Sequence, residues 1–138
     1  MKAQLSLLGL FLATPVIAAP ITSLRATLTG AAETPGPGTP GGAGTAAITF
    51  DQAASQLCYT LSASGIDQAT MAHIHKGPAG VAGPVVVPLN APENGFSKGC
   101  ASVAAETINA ILASPAEYYV NVHTTAHPAG AIRGQLAK

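Results

Sequence analysis

The chain has 138 residues, a formal net charge of zero, only 9% charged residues and no tryptophan. Without a run of Lys or Arg, nothing in it marks a nucleic-acid surface or an anionic-membrane binder. Ala, Gly, Pro, Thr and Val dominate, which fits a turn-rich β-domain and argues against a helical bundle.

Taken in order, residues 1–18 have the form of a secretory signal peptide. Lys2 supplies the positive charge, Leu5–Leu12 the apolar run, and Val16-Ile17-Ala18 the small residues before a cleavage site placed after Ala18. No other segment is long and apolar enough to span a bilayer, so the expected product is periplasmic or secreted, with no membrane contact after cleavage. About 120 residues then remain, enough for one domain, 19–138, with a single core.

Ile21–Thr29 alternates Leu24, Ala26 and Leu28 against Arg25 and Thr27, the pattern of a half-buried strand. Gly30–Gly44 holds most of the early Gly and Pro and reads as a loop within the domain. Thr45–Phe50 and Gln56–Ala63 form a hairpin through Asp51–Ser55. Thr70–Lys76 is a strand, Gly77–Gly83 a glycine-dense turn, and Pro84–Leu89 an apolar strand whose prolines predict an edge or a bulge. Asn90–Ala101 reads as irregular. Ser102–Ala113 spaces Val103, Thr107, Ile108, Ile111 and Leu112 as a short helix, with Ser102 as its N-cap. Tyr118–His123 and Ile132–Leu136 make the final hairpin. Some seven strands and one helix predict an all-β fold, an antiparallel, Greek-key-like β-sandwich or flattened barrel.

Two cysteines, Cys58 and Cys100, lie far apart without CxxC spacing. In an oxidising compartment they are expected to form a disulfide; two metal-binding thiolates are the competing possibility.

All four histidines fall in two places, AHIHKGPAG and VNVHTTAHPAG. Alternation sets Ala72 and Ile74 on one face, and His73 and His75 on the other. In the last hairpin, Tyr118, Val120 and Val122 face the core, so Tyr119, Asn121 and His123 face away, as do Arg133 and Gln135. A His-x-His pair on a strand puts two imidazoles about 6–7 Å apart at Cα, within reach of one metal. His123 from a neighbouring strand completes three nitrogens, and His127, on the turn, is a fourth ligand, a flanking group or a plain turn residue. All-imidazole ligation suits copper, zinc, nickel or iron. Met71 shares the histidine face and reads as packing, with a sulfur ligand the alternative. The competing interpretation of every one of these is an ordinary solvated surface residue, Arg133 included.

The blocks GAAETPGPGTPGGAGTAAITFD, LCYTLSASGI, AHIHKGPAGVAGPVVVPL and YYVNVHTTAHPAGAIRGQL resemble the successive motifs of CHRD domains, the module named after chordin. That resemblance covers essentially the whole mature chain and implies a secreted β-sandwich. Such domains usually read GGEIRGQL where this chain has AGAIRGQL, which removes one carboxylate. A more distant likeness is to copper–zinc superoxide dismutases, which are similar in carrying a strand His-x-His pair, a later histidine and an arginine near the C-terminus that guides the anion. Their two-metal site takes more histidines than the four present here. By that analogy, the expectation is one copper ion per chain, with no zinc required. His73, His75 and His123 would hold it, His127 would complete or flank it, and Arg133 would draw in superoxide as the small-molecule substrate. The alternatives are a metal-binding or buffering module without turnover, and an extracellular protein-interaction module whose partner the sequence does not name.

Overall fold

The computed structural model describes residues 13–15 and 20–138. The signal-peptide expectation, with its cleavage point after Ala18, lies outside the described residues except for 13–15. Among the described residues, no helix is long and apolar enough to cross a membrane.

Eight strands form one antiparallel sheet: β1 (Thr22–Thr29), β2 (Ala43–Asp51), β3 (Gln56–Ser64), β4 (Ala69–Lys76), β5 (Val85–Leu89), β6 (Phe96–Ser102), β7 (Tyr118–Thr124) and β8 (Ile132–Gln135). Their order is β5-β4-β7-β8-β1-β2-β3-β6. The two ends, β5 and β6, lie against each other without pairing, so the sheet curls into a nearly closed barrel. Of the two architectures expected, this is the flattened barrel. Links from β3 to β4 and from β6 to β7 cross between distant strands of the sheet, which gives the Greek-key character.

Alternation fills the barrel. Leu24 and Leu28, Ile48 and Phe50, Leu57 and Leu61, Ile74, Val120, Val122 and Ile132 are all essentially without solvent contact. Each contributes roughly 1.5–3 kcal/mol by leaving water. The helix, α1 (Ala105–Ala113), buries Ile108 and Ile111 against this core.

Two local expectations are corrected. Residues 96–102 are not irregular but form β6, paired with β3 over the full run Gln56↔Ser102 to Ser62↔Phe96. Ser97, Lys98 and Gly99 have little preference for strand, and here pairing with a formed neighbour overrides it. Ser102 belongs to that ladder and is therefore not the N-cap of α1; Ala104 takes that place without a side-chain cap bond. Pro88 lies in β5, at one end of the sheet order, where its missing N–H leaves no partner strand unpaired.

Cys58 and Cys100 stand directly opposite each other in the β3–β6 ladder and are disulfide-bonded. The bridge closes a sequence separation of 42 on the outside of the barrel and fastens the last strand of the sheet. Loop-closure entropy values such a bridge at about 4 kcal/mol. It also sets aside the two-thiolate alternative.

Candidate metal centre

The site is built on the β4–β7 pair. Their register places Met71 opposite His123, His73 opposite Asn121 and His75 opposite Tyr119. His123 therefore lies diagonally across from His73, on the face turned away from the core. One nitrogen of each of His73, His75 and His123 lies within 4.8 Å of the others.

Backbone carbonyls decide which nitrogens these are. His75 Nδ1 lies 2.8 Å from Gly83 O, and His123 Nδ1 lies 2.9 Å from Pro128 O. A carbonyl only accepts, so both Nδ1 atoms carry the proton and both Nε2 atoms keep a free lone pair. His75 Nε2 is buried and has no hydrogen-bond partner among the described residues. His123 Nε2 accepts from His73 Nδ1–H at 3.1 Å, so an ion taking His73 Nδ1 would displace that proton to His73 Nε2. Two nitrogens bound tetrahedrally to one ion at the usual metal–nitrogen length lie about 3.3 Å apart. The His73–His123 pair thus stands at a spacing that an ion fits, with a nitrogen of His75 within 4.8 Å of both.

Burial also favours the neutral form of two of the three rings, His73 and His123. Burial lowers the pKa of His73, helped by the neighbouring His123 and His75. Burial likewise lowers that of His123, against the Pro128 hydrogen bond, which raises it. Neutral imidazole is the form that ligates metal.

The histidine face differs from expectation in one respect: it is the outer face of the sheet, but much of it is not solvated. His75 and His123 are buried, His73 is half-buried, and Arg133 is only 1% exposed. The turn 77–83 folds over this part of the sheet and covers it. Gly83 permits the close approach, since a Cβ there would run into the Lys76 carbonyl.

Arg133 is therefore not the solvated residue expected from alternation. Its Nη2 donates to Pro78 O at 2.8 Å and to Gln135 Oε1 at 3.1 Å. Gln135 Nε2 in turn donates to Gly77 O. The guanidinium lies 3.4 Å from the centre of the Tyr119 ring, a desolvated cation–π contact worth about 2 kcal/mol. Tyr119 stacks on His75, with centroids 4.8 Å apart and planes within 6° of parallel. Because β4 and β8 flank β7 on opposite sides, the Tyr119 ring is packed between His75 and Arg133. Its hydroxyl accepts from Gly83 N, tying the same turn down again.

His127 is not brought into the cluster. It is half-buried on the turn after β7, where its N–H donates to Thr124 Oγ1 and its carbonyl accepts from Gly130 N. His127 borders a separate cavity of about 150 Å³ together with Glu33, Pro35 and Gly130. The same turn serves the centre through Pro128 O.

Glu33 was not foreseen as part of this region. It comes from the Gly/Pro-rich loop after β1 and is buried, filling the space a side chain on Gly130 would need. Burial pushes its pKa up to about 7, against the pull of Arg133, the Thr34 backbone and Asn121. A lone acid in a loop carries no sequence signal that it will fold back onto the sheet.

Two outcomes are expected. Replacing His73, His75 and His123 together with Ala abolishes stoichiometric uptake of a divalent metal, whereas His127→Ala leaves one ion bound; loss of binding in His127→Ala contradicts the placement. The second concerns Glu33, whose folded pKa lies above its ordinary value near 4.5. Its neutral form suits the fold, so its ionisation costs stability progressively between about pH 4.5 and 7, to roughly 2–3 kcal/mol. Denaturant titrations should show Glu33→Gln gaining on the wild type across that window and holding the gain above it. Parallel stability curves for the two proteins contradict this.

A family profile described as CHRD domain matches residues 24–136. No curated protein matches the chain, and no solved structure does. With the profile covering most of its length, the chain belongs to the CHRD domain family.

Proposed function

We propose that this CHRD domain binds one copper ion on His73, His75 and His123 and disproportionates superoxide there. The observation that carries the reading is the convergence of three imidazole nitrogens, two of them aimed by backbone carbonyls. Neutral nitrogen ligands favour copper over zinc in the ordinary affinity order. Held by His73, His75 and His123, such an ion would supply one-electron redox chemistry, by which two superoxide ions and two protons become O₂ and hydrogen peroxide.

The protein's own contribution is order and field. His75 is clamped between Gly83 O and the Tyr119 ring, and His123 is held by Pro128 O. His73 is the least buried of the three, so a small anion approaches from its side. Arg133 stands behind Tyr119 and meets no incoming anion directly. Its positive charge acts through a poorly screened interior, which directs the field toward the mouth of the site. His127 flanks the region without a ligand role. Export to the periplasm or beyond fits the same reading, because the Cys58–Cys100 bridge persists in an oxidising compartment.

The burial of Arg133 favours a second reading, a copper-binding module without turnover. A surface guide for the substrate would be expected in solvent, and this one is covered by the turn 77–83.

Superoxide assays on copper-loaded protein separate the two. The dismutase reading expects activity above that of free copper, falling as ionic strength rises. Arg133→Lys, which keeps the charge but loses the guanidinium fork to Pro78 O and Gln135 Oε1, should keep more of the rate than Arg133→Gln. Arg133→Gln should keep one copper but lose rate, by roughly 10-fold or more, and respond less to salt. Wild-type rates no better than free copper leave the binding module; active protein indifferent to Arg133→Gln removes the arginine's role.

A further inference from the structure

The alternation in β4 sets Met71 on the face of His73 and His75, where it reads as a packing residue. It is not packed: Met71 is 48% exposed and stands outside the hydrophobic core. The cause is local. The β4–β7 register shifts between Ala69 and Met71, so Thr70 is an extra residue facing a single step of β7. Such a bulge re-aims the side chains beside it, and Thr70 and Met71 are exposed in succession. Thr70 Oγ1 donates to His123 O and closes the irregularity.

The bulge leaves Met71 directly opposite His123 and two residues before His73. Residues directly opposite in an antiparallel pair have Cβ atoms about 4.5–5.5 Å apart. A methionine side chain, unbranched with three rotatable bonds, spans such a gap easily. The thioether is therefore within reach of two of the three histidines, His123 across the ladder and His73 along the strand. It also stands on the open side. The His75 end is closed by the turn 77–83, whereas His73 is half-exposed.

Resting on the copper reading of the three-histidine centre, we propose that Met71 Sδ is a further ligand of that centre, engaged by the cuprous ion. Three neutral imidazoles satisfy Cu(II), a borderline ion that prefers nitrogen. Thioether sulfur is soft and selects Cu(I). A single exposed methionine ordinarily needs no explanation. This one stands across the ladder from a candidate ligand, at a bulge, on the accessible edge of the centre.

The test compares Cu(I) and Cu(II) affinities of wild type, Met71→Leu and Met71→Ala. Bathocuproine disulfonate serves as the Cu(I) competitor and glycine as the Cu(II) competitor. Leucine keeps the bulk and removes the sulfur, so it separates ligation from packing. Both variants should bind Cu(I) on the order of tenfold more weakly, a loss typical of a supporting group at a metal centre. Their Cu(II) affinity should change little, because the imidazoles are intact. The sequence holds only two methionines, Met1 and Met71, so ¹³C-methyl labelling gives a direct readout. The Met71 methyl resonance should move on adding Cu(I), or Ag(I) as its stable analogue, and should stay put with Zn(II). Unchanged Cu(I) affinity in Met71→Leu, with Cu(II) bound normally, overturns the ligand role and leaves the histidine centre standing. A wild type that binds neither oxidation state overturns both.

Discussion

The register of β4 against β7 is the constraint on which the site depends. With Met71 opposite His123 and His73 opposite Asn121, imidazoles from two strands meet on one face. A slip of one residue would turn Ile74 and Val120 outward and the histidines into the core. Those apolar residues are without solvent contact, so the barrel core holds the register and the register holds the centre. Burial energy on one face of the sheet is thereby converted into ligand geometry on the other.

A second, polar layer covers that outer face. The turn 77–83, the loop after β1 and the turn after β7 each fold over it, and each donates or receives bonds at the sheet. The carbonyls of Gly83 and Pro128 come from two of these segments, so the segments that enclose the centre also aim His75 and His123. The layer is not fully satisfied. Glu33 Oε1, Asn121 Oδ1, His75 Nε2 and Arg133 Nη1 are buried without partners among the described residues. Unpaired buried groups of this kind cost stability, and they gather around the centre, where an ion would use at least the histidine nitrogen.

Much of this was legible in the sequence. Strict alternation in β1, β2, β3 and β7 identifies both faces, and the same alternation brings His73, His75 and His123 to one side. The cystine followed from the expected oxidising compartment and an even count. What stayed hidden is tertiary. β6 reads as irregular because Ser97, Lys98 and Gly99 have no intrinsic strand preference, and only the β3 ladder makes them one. Arg133 was expected in solvent because alternation distinguishes core from outer face, not outer face from water; the turn 77–83 makes that second distinction. His127 fell outside the centre for a similar reason, since its position depends on the geometry of a turn and not on strand periodicity. Met71 lies on the face that alternation gives it, but stands exposed beside the bulge at Thr70 and is not packed there.

The central claim is that His75 and His123 present Nε2, and His73 presents Nδ1, to a common point. Long-range ¹H–¹⁵N correlation spectra of the four imidazoles, recorded without metal and with Zn(II) as a diamagnetic probe, test it most directly. The account predicts Nδ1–H tautomers for His75 and His123 in the metal-free protein. On metal addition, their Nε2 resonances and the Nδ1 resonance of His73 should shift, while His127 stays unchanged. Nε2–H tautomers at His75 and His123, or a response from His127 in place of His75, would contradict it.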